Sequence, residues 1–151
     1  MEKNIRESRI ELVTKNCLIY AGTAWLFSDP RLDQKLDYVF IDEAGQVSLA
    51  NSIAIATSTK NIVLIGDQLQ LGQPTQGSHP GESGKSVLDY LLENNDTIAE
   101  DRGIFLNKTY RLHPKINNFI SPNFYEGRLL THSDNKKRKI NFIKGSPIIS
   151  E

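Results

Sequence analysis

Two adjacent carboxylates, Asp42 and Glu43, end the apolar run Tyr38-Val39-Phe40-Ile41. A run this short and this rich in β-formers reads as a strand buried on both faces, as inside a parallel sheet. Open α/β sheets bind ligands just beyond the carboxyl ends of their strands, so acids at that point face the site. Placed there, Asp42 could hold a Mg2+ ion directly or through water, and Glu43 could take a proton from an attacking water. Any strand must also end in something polar, so the pair alone does not decide.

Two further polar-tipped segments follow in order. Asn61 to Ile65 is a second apolar strand, ending in Gly66-Asp67-Gln68-Leu69-Gln70. Asp67 or Gln70 could simply cap the next turn, yet glutamine is a poor turn residue. Three of them, Gln68, Gln70 and Gln73, suit hydrogen-bond sensing of a ligand better. The third segment is Thr109-Tyr110-Arg111-Leu112-His113-Pro114, where Arg111 falls between a strand starting at Gly103 and a helix opened by Pro114. A forked, permanently charged guanidinium there is suited to phosphate, and equally to a surface salt bridge. His113 is read as a cap or a packed ring.

The elements that must position these groups alternate between strand and helix. Residues 2–15 read as an amphipathic helix, Cys17 to Ala21 as a short strand, and Gly22-Thr23 as its closing turn, small enough to let a backbone or a phosphate approach. Trp25, in the apolar stretch Ala24 to Phe27, is expected to pack. Val47 to Thr57 is a helix linking the two polar-tipped strands into a βαβ unit with a shared functional rim. Ser83 is expected to cap a helix over Lys85 to Leu92. Glu93 to Arg102 reads as a connection between domains. In the helix after Pro114, Ile116, Phe119 and Ile120 are expected to face a core, and Gly127 to stop that helix in the left-handed conformation.

Composition narrows the class. The chain has 151 residues, about one domain, with 38% hydrophobic and 24% charged residues, and 18 basic against 18 acidic side chains give zero net charge. Nucleic-acid binding would therefore need a local surface, not an overall positive field. The run Lys136-Lys137-Arg138-Lys139 is read first as a solvated loop and second as a phosphate-backbone contact. A single cysteine, Cys17, excludes an intrachain disulfide framework and a cysteine zinc cluster, and suits a cytoplasmic protein. No apolar stretch approaches membrane-spanning length, and the start Met-Glu-Lys-Asn does not resemble a signal peptide. Gly81-Glu82-Ser83-Gly84-Lys85-Ser86 imitates half of a phosphate-binding loop. His79 stands where its first glycine belongs, and no strand feeds it directly, which disfavours a self-contained GTPase.

Taken together, Gly22-Thr23, Val-Phe-Ile-Asp42-Glu43-Ala44-Gly45-Gln46, Gly66-Asp67-Gln-Leu-Gln70 and Tyr110-Arg111-Leu112-His113-Pro114 resemble successive motifs of superfamily 1 helicases. The Asp-Glu-Ala-x-Gln form of the Walker B motif looks like superfamily 1B. Gly72-Gln73-Pro74, the Gly-Ser-His-Pro-Gly-Glu-Ser loop and Phe-Tyr-Glu-Gly-Arg-Leu look like bacterial proteins that fuse a RecB-like nuclease to such a helicase. The likeness covers residues 17 to 130.

That resemblance implies an α/β, RecA-like P-loop NTPase fold, a parallel sheet flanked by helices, here without its Walker A segment. It implies a partial first RecA-like domain over residues 1–100 and the start of a second over 101–151. The complete protein would be an ATP-dependent helicase on single-stranded nucleic acid, DNA favoured over RNA, with a fused or associated nuclease and no membrane partner. Its cofactors would be ATP and Mg2+. Asp42 would hold Mg2+, and Glu43 would activate the hydrolytic water. Gln70 would sense the γ-phosphate on a loop held by Asp67, and Gln46 would link the two motifs. Arg111 would be an arginine finger, Tyr110 would stack on the nucleotide base, and Gly22 and Thr23 would meet the single strand's backbone. Leu112 replaces a usual Met, Gly72-Gln73 replaces a common Pro-Pro, and no nuclease motif is seen. A non-catalytic remnant or nucleic-acid-binding module of the same fold is the alternative.

Overall fold

The computed structural model describes residues 19–72, 77, 80–93 and 95–139. The chain divides into two compact units, Met1–Asn94 and Asn95–Glu151. The helix expected over 2–15 and the side chain of Cys17 lie outside the described residues.

In the first unit, α1 is Ala24–Phe27, β1 Val39–Ile41, α2 Leu49–Ala56, β2 Ile62–Leu64 and α3 Val87–Leu92. β1 and β2 pair in parallel with Val39 opposite Ile62, Phe40 opposite Val63 and Ile41 opposite Leu64. This is the expected βαβ unit, with α2 as the crossover. Val39, Ile41, Ala44, Ile55 and Val87 make its buried cluster, with Phe27, Leu49, Leu64 and Leu88 packed around them. The expectation that β1 is buried on both faces is corrected. Side chains alternate across a strand, so Phe40 points away from this cluster and is 65% exposed, beside an exposed Tyr38.

Serines fix where the helices start. Ser48 Oγ accepts the amide of Asn51 at 3.3 Å, and Ser86 Oγ accepts that of Asp89 at 3.0 Å. The Ser86 hydroxyl also donates to Asp89 Oδ2 at 2.7 Å, which orients it for the cap. The two helix starts are stitched together, Leu49 N–H to Lys85 O at 2.8 Å and Val87 N–H to Val47 O at 2.9 Å. Ser83 is therefore not the cap. Its hydroxyl donates to Pro80 O within the preceding loop, and α3 begins later than expected.

Two other expectations in this unit fail. Ile19 to Ala21 form no strand and Ile19 is exposed, while Trp25 is not packed but 86% exposed. α1 is a single turn whose described contacts run through Ala24 and Phe27, which leaves Trp25 on the outer side.

In the second unit, β3 is Lys108–Thr109, α4 Pro114–Phe124 and β4 Leu130–Thr131. β3 and β4 are parallel, with Lys108 opposite Leu130 and Thr109 opposite Thr131. The strand expected from Gly103 to Leu106 is absent because β4 offers only two residues, both paired to Lys108 and Thr109; Ile104 and Leu106 are exposed. His113 caps α4, its Nδ1 accepting the amide of Lys115 at 3.2 Å, with Pro114 at the first helical position.

The buried face of α4 is polar. Asn117 Nδ2 donates to Leu129 O at 2.8 Å, and Ser121 Oγ accepts Leu129 N–H at 3.1 Å. These side chains, four apart on one face, satisfy both backbone groups of the residue entering β4, which must be paired once buried. Ile116 and Phe119 are consequently turned outward, Phe119 being 65% exposed, and Ile120 is half-buried. After the cap at Tyr125 the chain turns through two left-handed residues, Glu126 at φ 53° and Gly127 at φ 74°, and the Gly127 N–H reaches Ser121 O at 2.9 Å.

Candidate functional site

The parallel register brings the two polar strand ends side by side. Ala44 N–H, just beyond the acid pair, donates to Ile65 O at 2.9 Å. Gly45 and Gly66 let the loops close on each other, since a Cβ on Gly66 would stand 2.7 Å from the Ala44 nitrogen. Asp42, Glu43, Asp67 and Gln70 therefore share one rim of the first unit.

Asp42 and Glu43 are both exposed. Asp42 Oδ1 accepts the Glu43 amide at 3.0 Å. Glu43 sits in the left-handed region, φ 53° and ψ 41°, immediately before the 3₁₀ turn Ala44–Gln46. A non-glycine residue held there costs about 1–2 kcal/mol, and such strain concentrates at functional positions.

Across the rim, Asp67 holds its own loop. Its Oδ1 accepts the Leu69 amide at 3.0 Å, and its Oδ2 accepts Gln70 Nε2 at 3.3 Å. One N–H of the Gln70 amide is thereby engaged, while the second N–H and the carbonyl oxygen have no partner among the described residues. Gln46 makes no direct bond between the two motifs among the described residues. It is exposed and its side chain makes no hydrogen bond among the described residues, so the joining falls to the Ala44 to Ile65 bond and the glycine contacts.

The second unit carries Tyr110 and Arg111 between β3 and α4. Thr109 Oγ1 accepts the amides of Arg111 and Leu112 at 3.2 and 3.3 Å, curling the chain outward. The Tyr110 ring is largely exposed and stacks on His132, with centroids 4.7 Å apart and planes at 29°. Arg111 is exposed, and its guanidinium has no partner among the described residues.

Gly22 and Thr23 lie exposed at the start of α1. Thr23 caps it with its backbone, its carbonyl accepting Leu26 N–H at 2.9 Å, and its hydroxyl makes no capping bond. Lys85 is exposed and paired with Glu82, which raises its pKa, and Ser86 is committed to its cap. That loop does not present a lysine to a phosphate cradle.

Two family models, each described as AAA domain, match in succession, one over residues 2–78 and the other over 83–149. The chain belongs to the AAA domain family. Its relatives include helicases. It is 35% identical over 120 residues to the probable helicase MAGATAMA 3 of Arabidopsis thaliana, covering 78% of this chain and 14% of that protein. It is 27% identical over 147 residues to the DNA polymerase alpha-associated DNA helicase A of Schizosaccharomyces pombe, 90% of this chain and 21% of that protein. With the ATP-dependent helicase NAM7 of Saccharomyces cerevisiae it shares 31% identity over 133 residues, 84% of this chain and 13% of that protein. The chain thus spans about a fifth or less of these relatives. As an AAA domain with parallel strands flanked by helices, it has a partial RecA-like P-loop α/β fold, of the superfamily 1 helicase kind.

Residue types alone did not single out several side chains that shape this AAA-domain chain. Asn135, buried on the 3₁₀ turn Ser133–Lys137, reaches back to the Tyr110-Arg111 loop. Arg128 ties Thr97 and Ile98 to the end of α4. Both lie in polar stretches that read as loops, and only the long-range pairing reveals them. No helix among the described residues is long and apolar enough to cross a membrane.

Proposed function

We propose that this chain is part of an ATP-dependent superfamily 1B translocase or helicase that hydrolyses ATP with Mg2+ while moving on single-stranded nucleic acid. Supporting this above all is the rim on which Asp42 and Glu43 stand beside an Asp67-anchored Gln70. Mg2+ keeps most of its waters and takes one or two carboxylates plus substrate phosphates. The exposed Asp42 carboxylate fits that requirement, and the bound ion would neutralise charge on the phosphates.

Glu43 orients and deprotonates the attacking water from a backbone held in the left-handed region. Gln70 offers its unengaged N–H to the γ-phosphate. Arg111 supplies positive charge to the transferring phosphoryl group, a contribution of about 10³–10⁵ in rate where such arginines act. Tyr110 stacks on the base, Gln46 links the acid pair to the Gln70 loop by way of the bound nucleotide, and Gly22 and Thr23 let the single strand's backbone approach. The motif likeness favours DNA over RNA and association with a RecB-like nuclease, and the single cysteine favours a cytoplasmic protein.

In the full-length protein, Glu43→Gln should abolish turnover while ATP still binds, and Arg111→Ala should slow hydrolysis about a thousandfold with a smaller effect on binding. Brisk hydrolysis in either variant would sink the role given to that residue. Absence of hydrolysis in the unaltered protein, with nucleic acid still bound, would instead favour a non-catalytic binding module.

A further inference from the structure

The loop presenting Tyr110 and Arg111 is held from behind by one buried amide. Asn135 is 3% exposed. Its Nδ2 donates to Thr109 O at 3.0 Å and to Leu112 O at 2.9 Å, the two carbonyls bounding Tyr110 and Arg111. An amide nitrogen has two hydrogens, so both bonds are made at once and the two ends of the loop are pinned at a fixed separation. No shorter or singly donating side chain does this.

Three further contacts close the clamp. His132 N–H donates to Thr109 O at 3.0 Å, the His132 ring carries the Tyr110 ring, and Arg138 Nη2 donates to Tyr110 O at 2.7 Å. The stretch from His132 to Arg138 thus grips every residue from Thr109 to Leu112 except Arg111. The guanidinium is left outside, on a backbone whose course is set on both sides.

We infer that Asn135 is a positioning residue for Arg111: by bridging Thr109 O and Leu112 O it fixes the loop from which Arg111 addresses the phosphoryl group. The mechanistic half rests on the role proposed above for Arg111; the structural half does not. The basic run after β4 acquires a meaning distinct from a solvated loop, since Arg138 is spent on this loop's backbone.

Two measurements test it, each with Asn135→Leu, which roughly keeps the shape but removes both donors, and with Asn135→Ser should the first variant fail to fold. Amide hydrogen exchange on this chain reads the loop itself. Exchange at Arg111 and Leu112 should rise at least about tenfold, while Ile120 and Ser121 in α4 keep their protection, because opening is local. Unchanged exchange at Arg111 and Leu112, or equal loss throughout α4, would overturn the inference.

Steady-state hydrolysis by the full-length protein reads the consequence. kcat should fall about a hundredfold, the scale of a small misplacement of a catalytic group, with KM for ATP little changed. In an Arg111→Ala background the Asn135 substitution should add no further loss, whereas independent damage would multiply. Multiplied losses, or an unchanged kcat where Arg111→Ala itself is slow, would overturn the positioning role. Should Arg111→Ala hydrolyse normally, the reading of Arg111 falls together with the mechanistic half, and hydrogen exchange alone decides whether Asn135 pins the loop.

Discussion

Gly45 lies so close to Asp67 that a Cβ built on it would stand 2.4 Å from the Asp67 carbonyl oxygen and 2.9 Å from its carbon. Both partners are backbone, which cannot swing aside as a side chain end can. Gly45→Ala must therefore separate the loop bearing the acid pair from the loop bearing Gln70. Overpacking of this kind costs about 1–3 kcal/mol. Urea unfolding of this chain should show that loss, while Gly72→Ala, where a Cβ meets nothing, should stay within about 0.5 kcal/mol of the parent.

Arg128 is the tie of the second unit. Its Nη1 donates to Thr97 Oγ1 at 2.6 Å and Ile98 O at 2.9 Å, and the guanidinium lies 4.6 Å from the centroid of the Phe105 ring. Thr97 Oγ1 in turn donates to Glu126 Oε2 at 2.8 Å. A lysine keeps the charge but loses the planar fork and the stacking face. Arg128→Lys should cost about 1–3 kcal/mol, the penalty for leaving partly buried partners unmet. Thr97→Ala in the same chain should add less than its separate effect, because the two share one network.

How much of this was legible depended on whether a local signal matched the packing. The two polar-tipped strands were readable because an apolar run ending in acids or in Gly-Asp fits little besides a strand that delivers polar groups at its carboxyl end, and their parallel pairing followed from the intervening helix. His113 as a cap was readable because it rests on local backbone chemistry that packing does not override, whereas Gly127 is left-handed as read but Glu126 enters that region one residue before it. Ile116 and Phe119 misled, because helical periodicity names the apolar side but not the buried side. The face that packs is the one whose Asn117 and Ser121 hold both backbone groups of Leu129. Ser83 misled as the cap, because the helix starts only where Val87 is stitched to Val47 and the hydroxyl that accepts its first free amide is that of Ser86. Asn135 was invisible, since its partners lie 26 and 23 residues away.

Asp29 gives the fold a small acid sensitivity. Its carboxylate accepts the side chain of Arg31 through Nε and Nη2 at 2.9 and 2.8 Å, and also the Arg31 amide at 2.9 Å. The side-chain bonds from Arg31 chiefly hold its pKa down at about 2 against an ordinary 3.8. A depressed carboxylate stabilises the fold above its unfolded value and loses that contribution as pH falls through the folded one. Arg31 is substantially exposed, so solvent screening limits the gain to about 1 kcal/mol or less. Asp29→Asn should be less stable than the parent by that amount near neutral pH. The gap should close progressively between about pH 4 and pH 2 in parallel urea titrations. A gap that persists at the acid end would assign the effect to the cap and not to the charge.

Glu43 carries the cost of its place at the rim. At φ 53° its backbone is where glycine is at ease and a Cβ is not. Removing the carboxylate in two ways separates chemistry from strain. Glu43→Ala deletes the acid but keeps the Cβ, whereas Glu43→Gly deletes both. Elsewhere in a chain glycine is the less stable of the two by about 0.5–1 kcal/mol, but at a left-handed position the order reverses by about 1 kcal/mol. Urea unfolding should therefore rank Glu43→Gly above Glu43→Ala, and level with or above the parent. Hydrolysis by the full-length protein should be lost in both. An alanine variant as stable as the glycine variant would mean that the backbone at Glu43 is unstrained, and the link between strain and the acid's position would fall.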